Sequence, residues 1–239
     1  MSNTYRLIGG EFSRLVSYKL LARSFATGVI WLLVFVFIST EEAGTVAPML
    51  IFVDVSIVLM MLLGASFYLE QQENTIKSMM VMPVSSWQIL LSKAVSSLVL
   101  ALISVSVTCI AVYFIHAISF NYALLLLFVI LAVAAHAAIG FSLALLGKNL
   151  GSMLIMVIVY NLLFTIPTIL FSMNIIDTNY EWVLMISPSH AAKTLFTSVV
   201  LGELEWGRTL FSCVYLPVLS AVLAKFVVHP RFKNRAVRG

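Results

Sequence analysis

The sequence predicts an all-α polytopic membrane protein with six transmembrane helices, and three observations carry that prediction. The 239 residues are 62% hydrophobic and only 10% charged, whereas soluble domains hold about 45–50% apolar and about 25% charged residues. The apolar residues gather into runs that suit a bilayer core about 30 Å thick, which takes about 20 helical residues to cross. The charges, finally, sort by sign onto alternate connections. The mean hydropathy of +1.07 lies far outside the globular range, and the basic excess reads as membrane topology rather than as a nucleic-acid surface.

The chain reads as one transmembrane domain, 1–239, and its elements follow in order. Residues 5–19 place Ile8, Phe12, Leu15 and Val16 on one face, with Arg6, Arg14 and Lys19 elsewhere. Segment 1–23 is therefore expected to be a basic amphipathic helix lying along the inner leaflet. It lacks the compact apolar core and small-residue cleavage site of a secretory signal peptide. Spans are expected at about 24–39, 49–69, 94–115, 122–146, 150–171 and 210–228, the first extended through a snorkelling Arg23. The stripes Ser97, Ala101, Ser104, Thr108 and Ala134, Ala138, Ser142 mark faces where helices approach closely. Pro230 is expected to stop the last helix and leave 229–239 as a basic tail at anionic headgroups. Cys109 and Cys213 lie inside apolar runs and read as buried free thiols.

Orientation follows from the connections. With the N-terminus in the cytoplasm, the outer segments are 40–48, 116–121 and 172–209, and of the 14 Lys and Arg residues only Lys193 and Arg208 fall there. Six of the 10 acids do: Glu41, Glu42, Asp177, Glu181, Glu203 and Glu205. The positive-inside rule then sets both termini in the cytoplasm.

The connection 70–93 is too long for a simple turn between spans, and it has internal order. Glu73 and Lys77 stand four apart in the favourable direction for a helical pair, and Pro83 breaks the chain. Ser85-Ser86-Trp87-Gln88 then has the form of a capping box, so a helix is expected to start at Ser85 and run through Lys93 into the third span. Two readings of this elbow stand: a solvated loop with an interfacial tryptophan, or a docking element on which a cytoplasmic machine pushes.

The pattern carried by Glu70, Glu73, Thr75, Pro83, Ser85 and Lys93 resembles the cytoplasmic loop of type-2 ABC transporter permeases, with Asn74 where the family usually has glycine. A second similarity lies in "ISPSHAAKTLFTSVVLGELEW", where Pro188, His190 and the short apolar run 191–201 look like the family's outer re-entrant segment before the last span. The layout is closest to small drug-export permeases, including the fluoroquinolone type. The resemblance implies that 70–93, with Trp87 at its tip, is a coupling helix seated on a separate nucleotide-binding subunit, which holds the ATP and magnesium. It implies a second permease subunit, identical or related, membrane lipid around the assembly, and the plasma membrane of a bacterial or archaeal cell. It implies ATP-driven export of a small or amphipathic substrate (drug, peptide or lipid) by alternating access.

No Gly-x-x-x-x-Gly-Lys-[Ser/Thr] sequence occurs, so ATP hydrolysis is expected elsewhere; "GKNLGS" at 147–152 lacks the preceding glycine. No cofactor, metal or nucleic acid is expected on this chain, and no catalytic residues. Candidate pathway residues are polar or helix-breaking groups inside spans: Asp54, His136, Asn161 and Pro167. Each also has a plain structural role available, namely interfacial snorkelling for Asp54, interhelical hydrogen bonding for His136 and Asn161, and a kink for Pro167. The competing class is an ion- or proton-coupled carrier working without an ATPase; the lack of a visible internal repeat and the lone intramembrane acid disfavour it. An intramembrane hydrolase lacks a His-Glu-x-x-His or paired acids in one span, and a purely structural scaffold is the remaining alternative.

Overall fold

The computed structural model describes residues 2–73, 75, 78, 84–202 and 204–238. Helix dominates it, no strand occurs among the described residues, and six helices are long and apolar enough to cross a membrane. These spans are Leu20–Phe37, Thr40–Gln72, Ser86–His116, Tyr122–Leu146, Leu150–Ser172 and Trp206–Lys233. The protein is therefore an all-α polytopic membrane protein.

Several boundaries differ from expectation, each for a local reason. The first span starts at Leu20, directly after Lys19, whose left-handed backbone (φ 55°) turns the chain out of the N-terminal helix Ser2–Ser17. Segment 40–48 is not a loop. Ser39 accepts the Glu42 N–H, and the Glu42 carboxylate accepts the Ser39 N–H in return, so this capping box starts the second span at Thr40. The 33 residues that result rise about 50 Å, well beyond a bilayer core.

Pro230 does not end the last helix, which continues as His229–Arg238. Pro230 and Pro167 each lie two residues beyond a π-helical turn, Ala224–Val228 and Asn161–Thr165. A proline in an α-helix clashes with the carbonyl four residues back. Here those carbonyls, of Phe226 and Leu163, belong to turns widened to i→i+5 hydrogen bonding, so the helix accommodates the ring without stopping. A third π turn, Asp54–Val58, interrupts the second span.

The fourth span is the axis of the bundle: 67% of its apolar window is buried, against 22%, 22% and 17% for the first, fifth and sixth. Both small-residue stripes face inward, with Ser97, Ser104, Thr108, Ala138 and Ser142 all buried. Close approach is also set by Gly28, where an added Cβ would lie 2.7 Å from Val107, so the first and third spans meet at van der Waals distance. The N-terminal helix buries Leu7, Glu11 and Leu15 and leaves Val16 exposed. This face is rotated from the expected one because its partner is the third span, and the centre of contact is the acid Glu11.

Candidate functional site

The connection 73–85 brings the second and third spans together at one end of the bundle, and a closed ionic cluster holds them there. Lys93, on the third span, is 3% exposed and forms an ion pair with Glu70, which is fully buried at the end of the second span. Lys93 lies 3.2 Å from Glu11 of the N-terminal helix, which also pairs with Arg14 at 2.5 Å. Ser66 adds a hydrogen bond to Glu70 at 3.1 Å. Two acids and two bases thus neutralise one another in a space where an unpaired charge would be costly. Beside them the Tyr18 hydroxyl donates to Glu73 at 2.5 Å. Burial first, and then that hydrogen bond, hold the phenol above its usual range, so it serves as a donor.

The seven expected coupling residues therefore divide. Glu70 and Lys93 are internal struts with no surface to offer a partner. Glu73 and Ser85 are exposed and Thr75 is half-buried. Trp87 is 47% exposed and stacks flat on His229, with ring centroids 4.6 Å apart. The Ser85 capping box is present, with the Gln88 N–H on Ser85 Oγ and the Ser85 N–H on Gln88 Oε1 at 2.8 Å. Pro83 lies outside the described residues, as does Lys77, the expected partner of Glu73.

At the opposite end the helix Pro188–Val200 is buried among the second, fourth and sixth spans. Pro188 occupies its first turn. The N-cap Ser187 accepts the His190 N–H and donates to the Phe164 carbonyl at 3.1 Å. Ser189 is hydrogen-bonded to Tyr160 and Thr165 at 3.1 and 3.0 Å, which ties the helix to the widened turn of the fifth span. A chamber of about 370 Å³ opens beside it, bordered by Glu181, His190, Lys193 and Arg208. Arg208 bridges Glu181 and Glu205 at 2.8 and 2.5 Å. His190 is 1% exposed, its nearest acid is Glu181 at 3.7 Å, and neither ring nitrogen has a hydrogen-bond partner among the described residues. Burial, reinforced by Lys193 and Arg208, pushes its pKa down to about 4, so the ring is neutral at physiological pH. Burial likewise lowers that of Lys193.

Residues 20–228 match a family model described as an ABC-2 family transporter protein. The chain belongs to the ABC-2 transporter family. No curated protein matches it. As an ABC-2 membrane protein it is a multi-pass transport subunit rather than a catalytic one, and the family implies an ATPase partner.

The intramembrane candidates of this ABC-2 subunit do not converge. Asp54 opens the first π turn and is 3% exposed. It accepts hydrogen bonds from Trp31 Nε1 at 2.9 Å and Ser104 Oγ at 2.5 Å, so it cross-links three spans instead of snorkelling to an interface. His136 is fully buried, with Nδ1 on its own helix at the Ala132 carbonyl and Nε2 unpartnered among the described residues. Asn161 donates to the Val157 carbonyl at 2.8 Å and leaves Oδ1 unpartnered among the described residues. No hydrogen bond or ion pair joins Asp54, His136 and Asn161 among the described residues, and Pro167 acts on the backbone alone. Sequence reasoning missed Glu11 as the third arm of the ionic cluster, and Lys193 and Arg208 as walls of one chamber. The available signal was a lysine and a histidine three apart on a short helix with no other ionisable side chain.

Proposed function

We propose that this chain is the permease subunit of an ATP-driven exporter that moves a small or amphipathic substrate out of the cytoplasm by alternating access. The charge asymmetry supports a cytoplasmic placement for the end bearing Trp87 and Ser85. A nucleotide-binding subunit, holding ATP and magnesium, docks against that end. A second permease subunit, identical or related, completes the pathway in the plasma membrane, and drugs, peptides and lipids are the substrate classes in range.

The observation that carries this reading is the buried Lys93–Glu70 ion pair. A force applied to the exposed tip at Trp87 enters the third span, and the ion pair passes it to the second. Glu11 adds the N-terminal helix to the same rigid body. Two long helices locked at one end move as a unit, which is what alternating access needs from its lever.

The test is copurification of the tagged chain with an ABC ATPase encoded beside it, followed by efflux and ATPase assays of Trp87→Ala. Substrate-stimulated hydrolysis is expected to fall about tenfold or more, the usual scale for an aromatic interface anchor, with membrane insertion intact. Full coupling in both Trp87→Ala and Glu73→Ala, or transport by the purified chain with no hydrolase present, overturns the reading.

A further inference from the structure

The N-terminal helix Ser2–Ser17 is fastened to the elbow along one stripe. Gln88 donates to Thr4 at 3.3 Å, Lys93 pairs with Glu11 at 3.2 Å, and Tyr18 donates to Glu73 at 2.5 Å. Residues 4, 11 and 18 stand seven apart, so they share one face of the helix and of the turn that ends it. Leu7 and Leu15 are buried on that face. The contacts reach both limbs of the elbow: Glu73 where the second span ends, and Gln88 and Lys93 where the third begins.

A second apolar stripe, Tyr5, Ile8, Phe12 and Val16, runs about 100° further round the same helix. Its ends, Tyr5 and Val16, are 72% and 62% exposed, and Ile8 and Phe12 are half-buried. Arg6 borders this stripe, and Lys19 and Arg23 stand where the chain turns into the first span at Leu20. All three bases are exposed and form no ion pair among the described residues. Glu11 and Glu70 are neutralised internally by Arg14 and Lys93, which leaves three bases against the single acid Glu73 on the described part of this surface. Only Tyr18 and Lys19 separate the helix from a membrane span, so the stripe is held at the bilayer boundary, where the covering medium is lipid. An exposed apolar stripe edged with bases suits an anionic leaflet.

We propose that anionic phospholipid of the inner leaflet regulates the elbow through this helix. Its headgroups bind Arg6, Lys19 and Arg23 while Tyr5, Ile8, Phe12 and Val16 enter the acyl boundary, and the seated helix holds the elbow through Thr4, Glu11 and Tyr18. A helix already docked on the third span pays no further orientational cost on meeting the leaflet, so lipid binds it better than it binds a loose one. By linkage, the lipid strengthens the docking by the same factor. The proposal rests on the coupling reading for the role of the elbow, but its test uses neither nucleotide nor ATPase, so either can fail while the other stands.

The experiment uses the full chain in nanodiscs of phosphatidylcholine, alone or mixed with phosphatidylglycerol, and reads amide hydrogen exchange over residues 4–18 and 84–93. Phosphatidylglycerol is expected to slow exchange in both segments, by about fivefold for each base in contact, and less so at high salt. Arg6→Gln, Lys19→Gln and Arg23→Gln combined are expected to abolish the effect in both segments. Thr4→Val with Tyr18→Phe is expected to keep it over 4–18 and to reduce it over 84–93. Equal exchange in the two kinds of disc, an undiminished effect in the triple variant, or slowing confined to 4–18 in the unsubstituted chain overturns the proposal. So does an undiminished effect over 84–93 in Thr4→Val with Tyr18→Phe. Equal protection in both kinds of disc when each holds two copies assigns the stripe to a second copy of the chain and overturns it as well.

Discussion

The two ends of the bundle use the same kinds of side chain in opposite ways. At the 73–85 end, Glu11, Arg14, Glu70 and Lys93 form a closed set in which every charge has an opposite neighbour. At the other end, Arg208 bridges two acids, Lys193 acts on both only at longer range, and neither ring nitrogen of His190 has a hydrogen-bond partner among the described residues. A closed set resists motion between the helices that contribute to it. A set held at longer range ties its helices together less tightly. Burial alone does not tell how firmly a charge is held; the distance to its partners does.

That contrast makes its largest prediction at Lys93. Lys93→Met strands Glu70 in a buried site, and breaking a buried pair costs about 3–5 kcal/mol. The midpoint of thermal unfolding in detergent is expected to fall sharply, and Lys93→Met combined with Glu70→Met is expected to recover most of the loss. Additive effects in that double-mutant cycle mean that the pair is not coupled and that the ends do not differ as described.

A smaller effect is expected from pH at the opposite end. The unfolded His190 takes up a proton near its ordinary value of 6.5, whereas the folded ring resists protonation until about 4. A depressed histidine pKa leaves stability intact above the unfolded value and erodes it as pH falls through the window between the two. From pH 7 to pH 5 the loss is about 1–2 kcal/mol, shaped by the facing Glu181, Lys193 and Arg208. His190→Gln is expected to flatten the part of the midpoint-versus-pH curve that this group supplies. A curve of the same slope in the variant rules out the buried neutral ring.

The smallest effect is expected at Lys193. Because Lys193 acts on Glu181 and Glu205 only beyond ion-pair distance, Lys193→Met is expected to change stability by about 1 kcal/mol or less, measured in the same unfolding assay as Lys93→Met. A loss equal to that at Lys93 erases the distinction between the two ends.

Much of the architecture was legible in the residue order. The fourth span begins and ends where its apolar run does, at Tyr122 and Leu146. The helix after Pro83 starts where Ser85 and Gln88 imply. The same capping grammar stands at Ser39-Thr40-Glu41-Glu42, yet the expected span start at 49 rests on where the apolar run begins, which leaves out the helical residues 40–48. Pro230 looked like a stop because the rule against proline holds for an unwidened helix, and nothing local announces a π turn. For the N-terminal helix, periodicity identified amphipathicity but not the face that packs, since the buried stripe is centred on an acid with one counter-ion three residues on and a second, buried one 82 residues away.

What the sequence determined by itself is the class of molecule: helical, six times membrane-crossing, with its basic residues gathered at one end. These properties follow from side-chain transfer energies and backbone hydrogen bonding, which act within a turn or along a single run. The tertiary structure alone decided the partners. It set Lys93 against Glu70 and Glu11, Asp54 between Trp31 and Ser104, and Lys193 beside His190 in an open chamber. Which charge meets which depends on the rotation and height of each helix within the bundle. Those are set by close packing over the whole interface, at sites such as Gly28 against Val107, and no short stretch of residues encodes them.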